Sequence, residues 1–112
     1  MLYILNTMIV PINFDEVSKA FIDLRRISLD EARKLVKELP FISAVGHEGT
    51  AKLLSELLEV DIPCERRTVY MKSGDLGLHF FLKKRLPEGA ILTKDELEEL
   101  PYWLVLSIVL QG

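Results

Sequence analysis

Two spacings of apolar residues alternate along this chain, and the places where one gives way to the other predict its elements. Leu2 to Thr7 opens as a short, apolar, β-prone run and closes on the polar pair Asn6-Thr7, which predicts a strand. Pro11 and Asn13 then mark a turn region. Asp15 to Ile27 is ambiguous: Ala20-Phe21-Ile22-Asp23-Leu24-Arg25 reads as an edge strand or the segment from Asp15 as a short helix, with a strand from about Ala20 favoured. Ser28-Leu29-Asp30-Glu31 is a capping box, in which the serine hydroxyl accepts from the Glu31 amide and the glutamate reaches back. Behind it Leu29, Ala32, Leu35, Val36 and Leu39 recur on one helical face, and Pro40 limits the helix to about Leu39. Phe41 to Val45 is short and apolar, and Gly46-His47-Glu48-Gly49-Thr50 follows it. Ala51, Leu53, Leu54, Leu57 and Leu58 then line a second helix whose first turn lies near His47.

The remainder reads as β structure around one short helix. Arg66 to Lys72 and Leu78 to Lys84 alternate, with Ser73-Gly74-Asp75 between them, which predicts a hairpin. In its second strand Leu78, Phe80 and Leu82 share one face, and His79, Phe81 and Lys83 the other. Arg85-Leu86-Pro87-Glu88-Gly89 is a polar loop, and Thr93-Lys94-Asp95-Glu96 is a second capping box opening a short helix before Pro101. Tyr102 to Leu110 is a near-continuous apolar run, as in a strand buried on both faces. The sum is one mixed α/β (α+β) domain over residues 1–112, with about five strands and helices packed on them. No Gly-rich turn joins a strand to a helix as a dinucleotide-binding unit requires.

Composition narrows the function classes. At 112 residues, 49% hydrophobic and 28% charged, the chain is globular rather than disordered. Fourteen Lys and Arg against 17 Asp and Glu give a net charge of -3, which argues against sequence-blind binding of long nucleic acid. A small anionic ligand in a locally positive pocket stays open. The single cysteine, Cys64, permits neither an internal disulfide nor a multi-cysteine zinc site, and reads as structural. The two histidines lack zinc-ligand spacing, so neither a metal nor a cofactor is expected. No apolar run approaches the ~18 residues of a membrane span, and the start lacks a basic leader, so a cytoplasmic protein is expected.

His47 is the most informative residue. It follows Gly46 at the start of a helix, where unpaired amides and the helix dipole suit a phosphate. A histidine there is well placed for proton transfer, because imidazole titrates near neutral pH; the plainer reading is a surface histidine near a helix cap. Arg85 offers bidentate donors to phosphate, and Glu88 can orient a histidine, a ribose hydroxyl or Arg85 itself; a solvated ion pair is the plainer reading. Arg66 and Arg67 point to opposite faces if their segment is a strand, so one of them can face a ligand. Asn6 and Thr7 can contact a base or phosphate, or simply turn the chain. His79, among Leu78, Phe80 and Phe81, reads as a packed sheet residue. With no serine elbow, P-loop or metal-binding carboxylate pair, the simplest nucleophile for phosphate chemistry is the substrate's own RNA 2′-hydroxyl.

These segments, in this order, resemble the viral ring nucleases, the anti-CRISPR enzymes of type III systems. The resemblance is carried by Leu5-Asn6-Thr7, by Ala44-Val45-Gly46-His47-Glu48-Gly49-Thr50-Ala51, by Glu65-Arg66, and by Arg85-Leu86-Pro87-Glu88-Gly89-Ala90-Ile91-Leu92-Thr93. It covers nearly the whole chain and implies a roughly five-stranded mixed sheet in a two-fold homodimer. The ligand it implies is cyclic tetra-adenylate, bound across the interface and cut without metal to linear di-adenylates. By the same resemblance His47 is the general acid, Arg85 and Glu88 are active-site residues, and Arg66, Asn6, Thr7, Gly46 and Thr50 bind substrate. Where viral members often carry a serine shortly after the asparagine, this chain has Thr7-Met8-Ile9-Val10. Binding of the ring without cleavage is the alternative.

Overall fold

The computed structural model describes residues 1–83 and 102–112. Its strands are β1 (Leu2–Leu5), β2 (Phe21–Arg26), β3 (Phe41–Ser43), β4 (Leu76–Leu82) and β5 (Tyr102–Gln111); its helices are α1 (Leu29–Glu38) and α2 (Glu48–Leu58). The strands form one mixed sheet in the order β2-β5-β4-β1-β3. β1 lies parallel to β3 and β4, whereas β5 runs antiparallel to β4 and β2. Mixed pairing follows from the connections: parallel neighbours need long crossovers, and α1 and α2 lie within them. The predicted mixed five-stranded sheet is therefore observed.

The helices start and stop for local reasons. Ser28 caps α1: its Oγ accepts from the Glu31 amide at 3.1 Å, and the Glu31 carboxylate accepts from the Ser28 amide at 3.3 Å. Leu39, placed before Pro40, takes an extended conformation and ends the helix. Ala32 and Val36 of α1 and Leu53, Leu54, Leu57 and Leu58 of α2 pack on Leu2, Ile4, Leu78, Phe80 and Leu104 of the sheet. Arg33 ties the two helices together by donating to the Leu57 carbonyl at 2.8 Å.

The other sheet face has a smaller cluster, Leu5, Met71 and Val109, with Tyr3, Val10, Ile12, Ala44 and Val69 packed around it. Segments 8–12 and 69–71 thus cover part of this face. Farther along it Leu24, Phe81 and Trp103 are exposed, and the Phe81 and Trp103 rings stack at 5.4 Å.

One predicted strand is corrected. Residues 66–72 form no strand, because both edges of β4 are already taken, by β1 and by β5, and a hairpin partner has nowhere to pair. The turn at Ser73-Gly74 is present, with Gly74 at a φ of 90°, a conformation that favours glycine. The fifth strand is instead Phe41–Ser43, on the free edge of β1. β5 is an interior strand, as its apolar run predicts, although Trp103 and Leu110 near its ends are exposed. The predicted Arg85–Gly89 loop and the helix after Thr93 lie outside the described residues.

Candidate functional site

The parallel strands β1 and β3 end side by side, and their ladder continues through a bond from the Ala44 amide to the Ile4 carbonyl at 2.8 Å. The chain leaves the carboxyl end of β1 as Asn6-Thr7 and that of β3 as Ala44-Val45-Gly46-His47. Ligands of open α/β sheets bind in such a place.

His47 is the N-cap of α2. Its Nδ1 accepts from the Thr50 amide at 3.2 Å, and the Thr50 hydroxyl lies 3.2 Å from the same nitrogen. An imidazole replaces the usual serine or aspartate oxygen of a cap. Because Nδ1 accepts from an amide, the ring proton of the neutral form is on Nε2. Thr50 Oγ1 can donate to a bare Nδ1 or accept from a protonated one, whereas the Thr50 amide can donate only to the bare nitrogen. The ring itself is exposed.

Arg66 joins His47 by a route that its sequence distance hides. The Glu65 amide donates to the Val45 carbonyl at 2.9 Å, and Arg66 Nε donates to the Gly46 carbonyl at 3.1 Å. The Arg66 stem lies on Gly46, where a β-carbon would come within 2.9 Å of its Cγ. Among the described residues the two terminal guanidinium nitrogens of Arg66 have no partner. Gly46, His47, Thr50 and Arg66 thus form one cluster: a helix N-terminus, an imidazole and a guanidinium, suited to an anion. Arg67 turns away to Glu65, 3.5 Å distant.

The other candidates stand apart. Asn6 is half-buried; Thr7 is exposed, and its hydroxyl accepts from the Ile9 amide at 3.3 Å. No hydrogen bond joins either to the His47 cluster. Arg85 and Glu88 lie outside the described residues. His79 is wholly buried, as a packed sheet residue should be. Its Nδ1 lies 2.7 Å from the Thr7 carbonyl and its Nε2 2.7 Å from Ser107 Oγ. The apolar neighbours of His79 along β4 point to its burial but not to its partner Ser107, which depends on the β4–β5 register. Cys64 is exposed rather than packed.

A groove of about 290 Å³ runs along α2 and the loop after it, lined by Glu48, Lys52, Ser55, Glu56, Asp61 and Cys64 among others. Three carboxylates against one ammonium make it a poor place for a phosphate. Among the described residues no cluster of three or more His, Cys, Asp or Glu side chains is placed to hold a metal ion, and no helix is long and apolar enough to cross a membrane.

Comparison with known proteins gives a consistent lineage. The chain is 40% identical over 107 residues to Uncharacterized protein 26 of Sulfolobus islandicus filamentous virus (isolate Iceland/Hveragerdi), covering 93% of this chain and 89% of that protein. It is 44% identical over 100 residues to Uncharacterized protein ORF117 of Acidianus two-tailed virus, covering 87% and 83% of the two chains. The fold is that of B116 of Sulfolobus turreted icosahedral virus (STIV), with a TM-score of 0.80 and 20% identity over 96% of this chain and 97% of that one. The family model described as STIV B116-like matches residues 2–104, and the chain belongs to that family of archaeal virus proteins.

Proposed function

We propose that this protein is a ring nuclease that binds cyclic tetra-adenylate across a homodimer interface and cuts it, without metal, to linear di-adenylates. The observation that carries this reading is the meeting of His47 and Arg66 over Gly46 at the N-terminus of α2. A phosphodiester there has a cation, helix amides and a proton donor around it.

In this reading a ribose 2′-oxygen attacks the adjacent phosphorus, and its proton passes to solvent. The bond from phosphorus to the 5′-oxygen breaks, and that oxygen takes a proton from His47. The products end in a 2′,3′-cyclic phosphate and a 5′-hydroxyl. The Thr50 hydroxyl can pair with Nδ1 of the charged or the neutral ring, while the bond from the Thr50 amide forms only when Nδ1 is bare. Arg85 steadies the phosphate charge, while Glu88 positions the histidine, a ribose or the arginine, both roles resting on the sequence resemblance. Asn6 and Thr7 bind the ring from the end of β1. Two subunits related by a two-fold axis offer one His47 each to opposite phosphates, which accounts for two di-adenylate products.

The dimer has support from the sheet face away from the helices, where Leu24, Phe81 and Trp103 are 54%, 37% and 39% exposed. β5 is internal, so a partner would meet this face rather than pair with a β5 edge. The relatives are proteins of archaeal viruses; a role in switching off type III CRISPR signalling in the host cytoplasm rests on the sequence resemblance.

Sequestration without cleavage is the second reading. One observation favours it: His47 already has a structural task as the cap of α2. Incubating a large molar excess of radiolabelled cyclic tetra-adenylate with the protein in EDTA separates the two. Conversion of all the ring to linear di-adenylate supports the proposal; recovery of all the ring intact supports sequestration. Activity lost in EDTA and restored by Mg²⁺ would overturn the metal-free mechanism.

A further inference from the structure

We infer that His79 is a positioning residue that sets, from inside the sheet, the loop after β1 on which Asn6 and Thr7 stand. Its importance for ligand binding rests on the function proposed above; its hold on the loop does not. His79 is too buried to touch a substrate, and both of its ring nitrogens are engaged. A carbonyl only accepts, so Nδ1 carries the proton that bonds Thr7 O, and Nε2 then accepts from the Ser107 hydroxyl. Burial pushes the imidazole below its ordinary value of 6.5 and favours this neutral form.

Space for the arrangement is made by a glycine. A β-carbon on Gly77 would come within 2.4 Å of Ser107 Oγ and 2.8 Å of His79 Nε2. Any side chain there would push the serine and the histidine apart. Gly77 faces Ser107 across the β4–β5 ladder, and His79 sits beside Leu5 across the β1–β4 ladder. The relay therefore crosses three strands, from Ser107 on β5 through His79 on β4 to Thr7 just beyond β1.

The loop is held a second time farther along. The Met71 amide donates to the Pro11 carbonyl at 2.8 Å, and the Thr7 hydroxyl closes a small turn with Ile9 between the two attachments. The Thr7 carbonyl is fixed inward by His79. This leaves the Asn6 side chain and the exposed stretch to Ile9, itself 72% exposed, as the part that can meet a ligand.

Two substitutions of similar polarity divide the two bonds. In His79→Asn the amide nitrogen falls near the position of Nδ1 and can still donate to Thr7 O. In His79→Gln the amide lies near Nε2, keeps the Ser107 bond and loses Thr7. Amide hydrogen exchange at residues 7–10, measured without ligand, is expected to rise about tenfold in His79→Gln and little in His79→Asn, as for the loss of one hydrogen bond. Affinity for cyclic tetra-adenylate, by calorimetry, is expected to follow the same order. Ser107→Ala removes only a hydroxyl and gives a second reading: exchange at residues 7–10 rises while β4 amides stay slow. Equal loop exchange in the wild type, His79→Gln and Ser107→Ala overturns the inference. If the wild type binds no cyclic tetra-adenylate, the function reading fails, and loop exchange alone still decides the role of His79.

Discussion

The two histidines of this chain are set in opposite ways. His47 is exposed at a helix N-terminus, shares Nδ1 with an amide and a hydroxyl, and among the described residues leaves Nε2 without a partner. His79 is enclosed in the middle of the sheet, with both nitrogens bonded and nowhere to send a proton. One imidazole is placed to exchange a proton with a ligand; the other is placed to hold its own. Access and unused hydrogen-bonding capacity separate the two roles, not residue type. The exposed histidine also depends on its surroundings: Gly46 makes room for Arg66, as Gly77 makes room for the pair of His79 and Ser107.

That contrast can be broken at several points. His79→Ala leaves the Thr7 carbonyl and the Ser107 hydroxyl unpaired beside a cavity, and should cost about 3 kcal/mol of stability by urea unfolding. Its cleavage rate at saturating ring should stay within about twofold of the wild type while KM rises, since the loss is in binding. A kcat collapse in folded His79→Ala would put the buried histidine in the chemistry and erase the distinction. Arg85→Ala should weaken ring binding by roughly 1.5–3 kcal/mol, about 10- to 150-fold by calorimetry, as a charge-assisted phosphate contact is lost.

A pH series on the wild type and His79→Gln together isolates His79. Its folded-state value is held below the ordinary 6.5, so between the two the unfolded chain binds a proton that the folded chain does not. Stability should be at its full value above about pH 6.5 and fall as pH drops toward the folded-state value, by at most about 1.4 kcal/mol per pH unit. Melting curves of wild type and His79→Gln should diverge above this window and converge below it; parallel curves throughout would mean that His79 is not neutral in the fold. The smallest effect is expected from Gly46→Ala. The added methyl would come within 2.9 Å of Arg66 Cγ, near the root of that side chain, so Arg66 must shift; stability should fall by about 1 kcal/mol while ring affinity drops several-fold. Unchanged affinity would detach Arg66 from the site.

Much of this arrangement is legible in the residues. The Ser28–Glu31 box, Pro40 and the apolar spacing after Gly46 mark both helices, because capping and periodicity are local. The sheet is less legible. Phe41–Ser43 is too short to show a period, and it is a strand because β1 has a free edge. Residues 66–72 alternate as a strand should, yet the order β5-β4-β1 leaves them no partner. The site divides the same way. His47 at a helix start is visible in Gly46-His47-Glu48, but the bond from Glu65 to Val45 that brings Arg66 beside it is long-range. Burial of His79 follows from its apolar neighbours Leu78, Phe80 and Phe81; its attachment to Thr7 follows from the β1–β4 register, which no local pattern carries.

The measurement that bears most directly on the division of labour is His47→Ala, tested for binding and for single-turnover cleavage of cyclic tetra-adenylate. Loss of a general acid should slow cleavage by about 10²–10⁴-fold. Binding should persist, because Arg66, the amides of α2 and the loop after β1 remain, so the variant should hold the ring intact. Cleavage at the wild-type rate, or loss of binding together with cleavage, would contradict His47 as the proton donor.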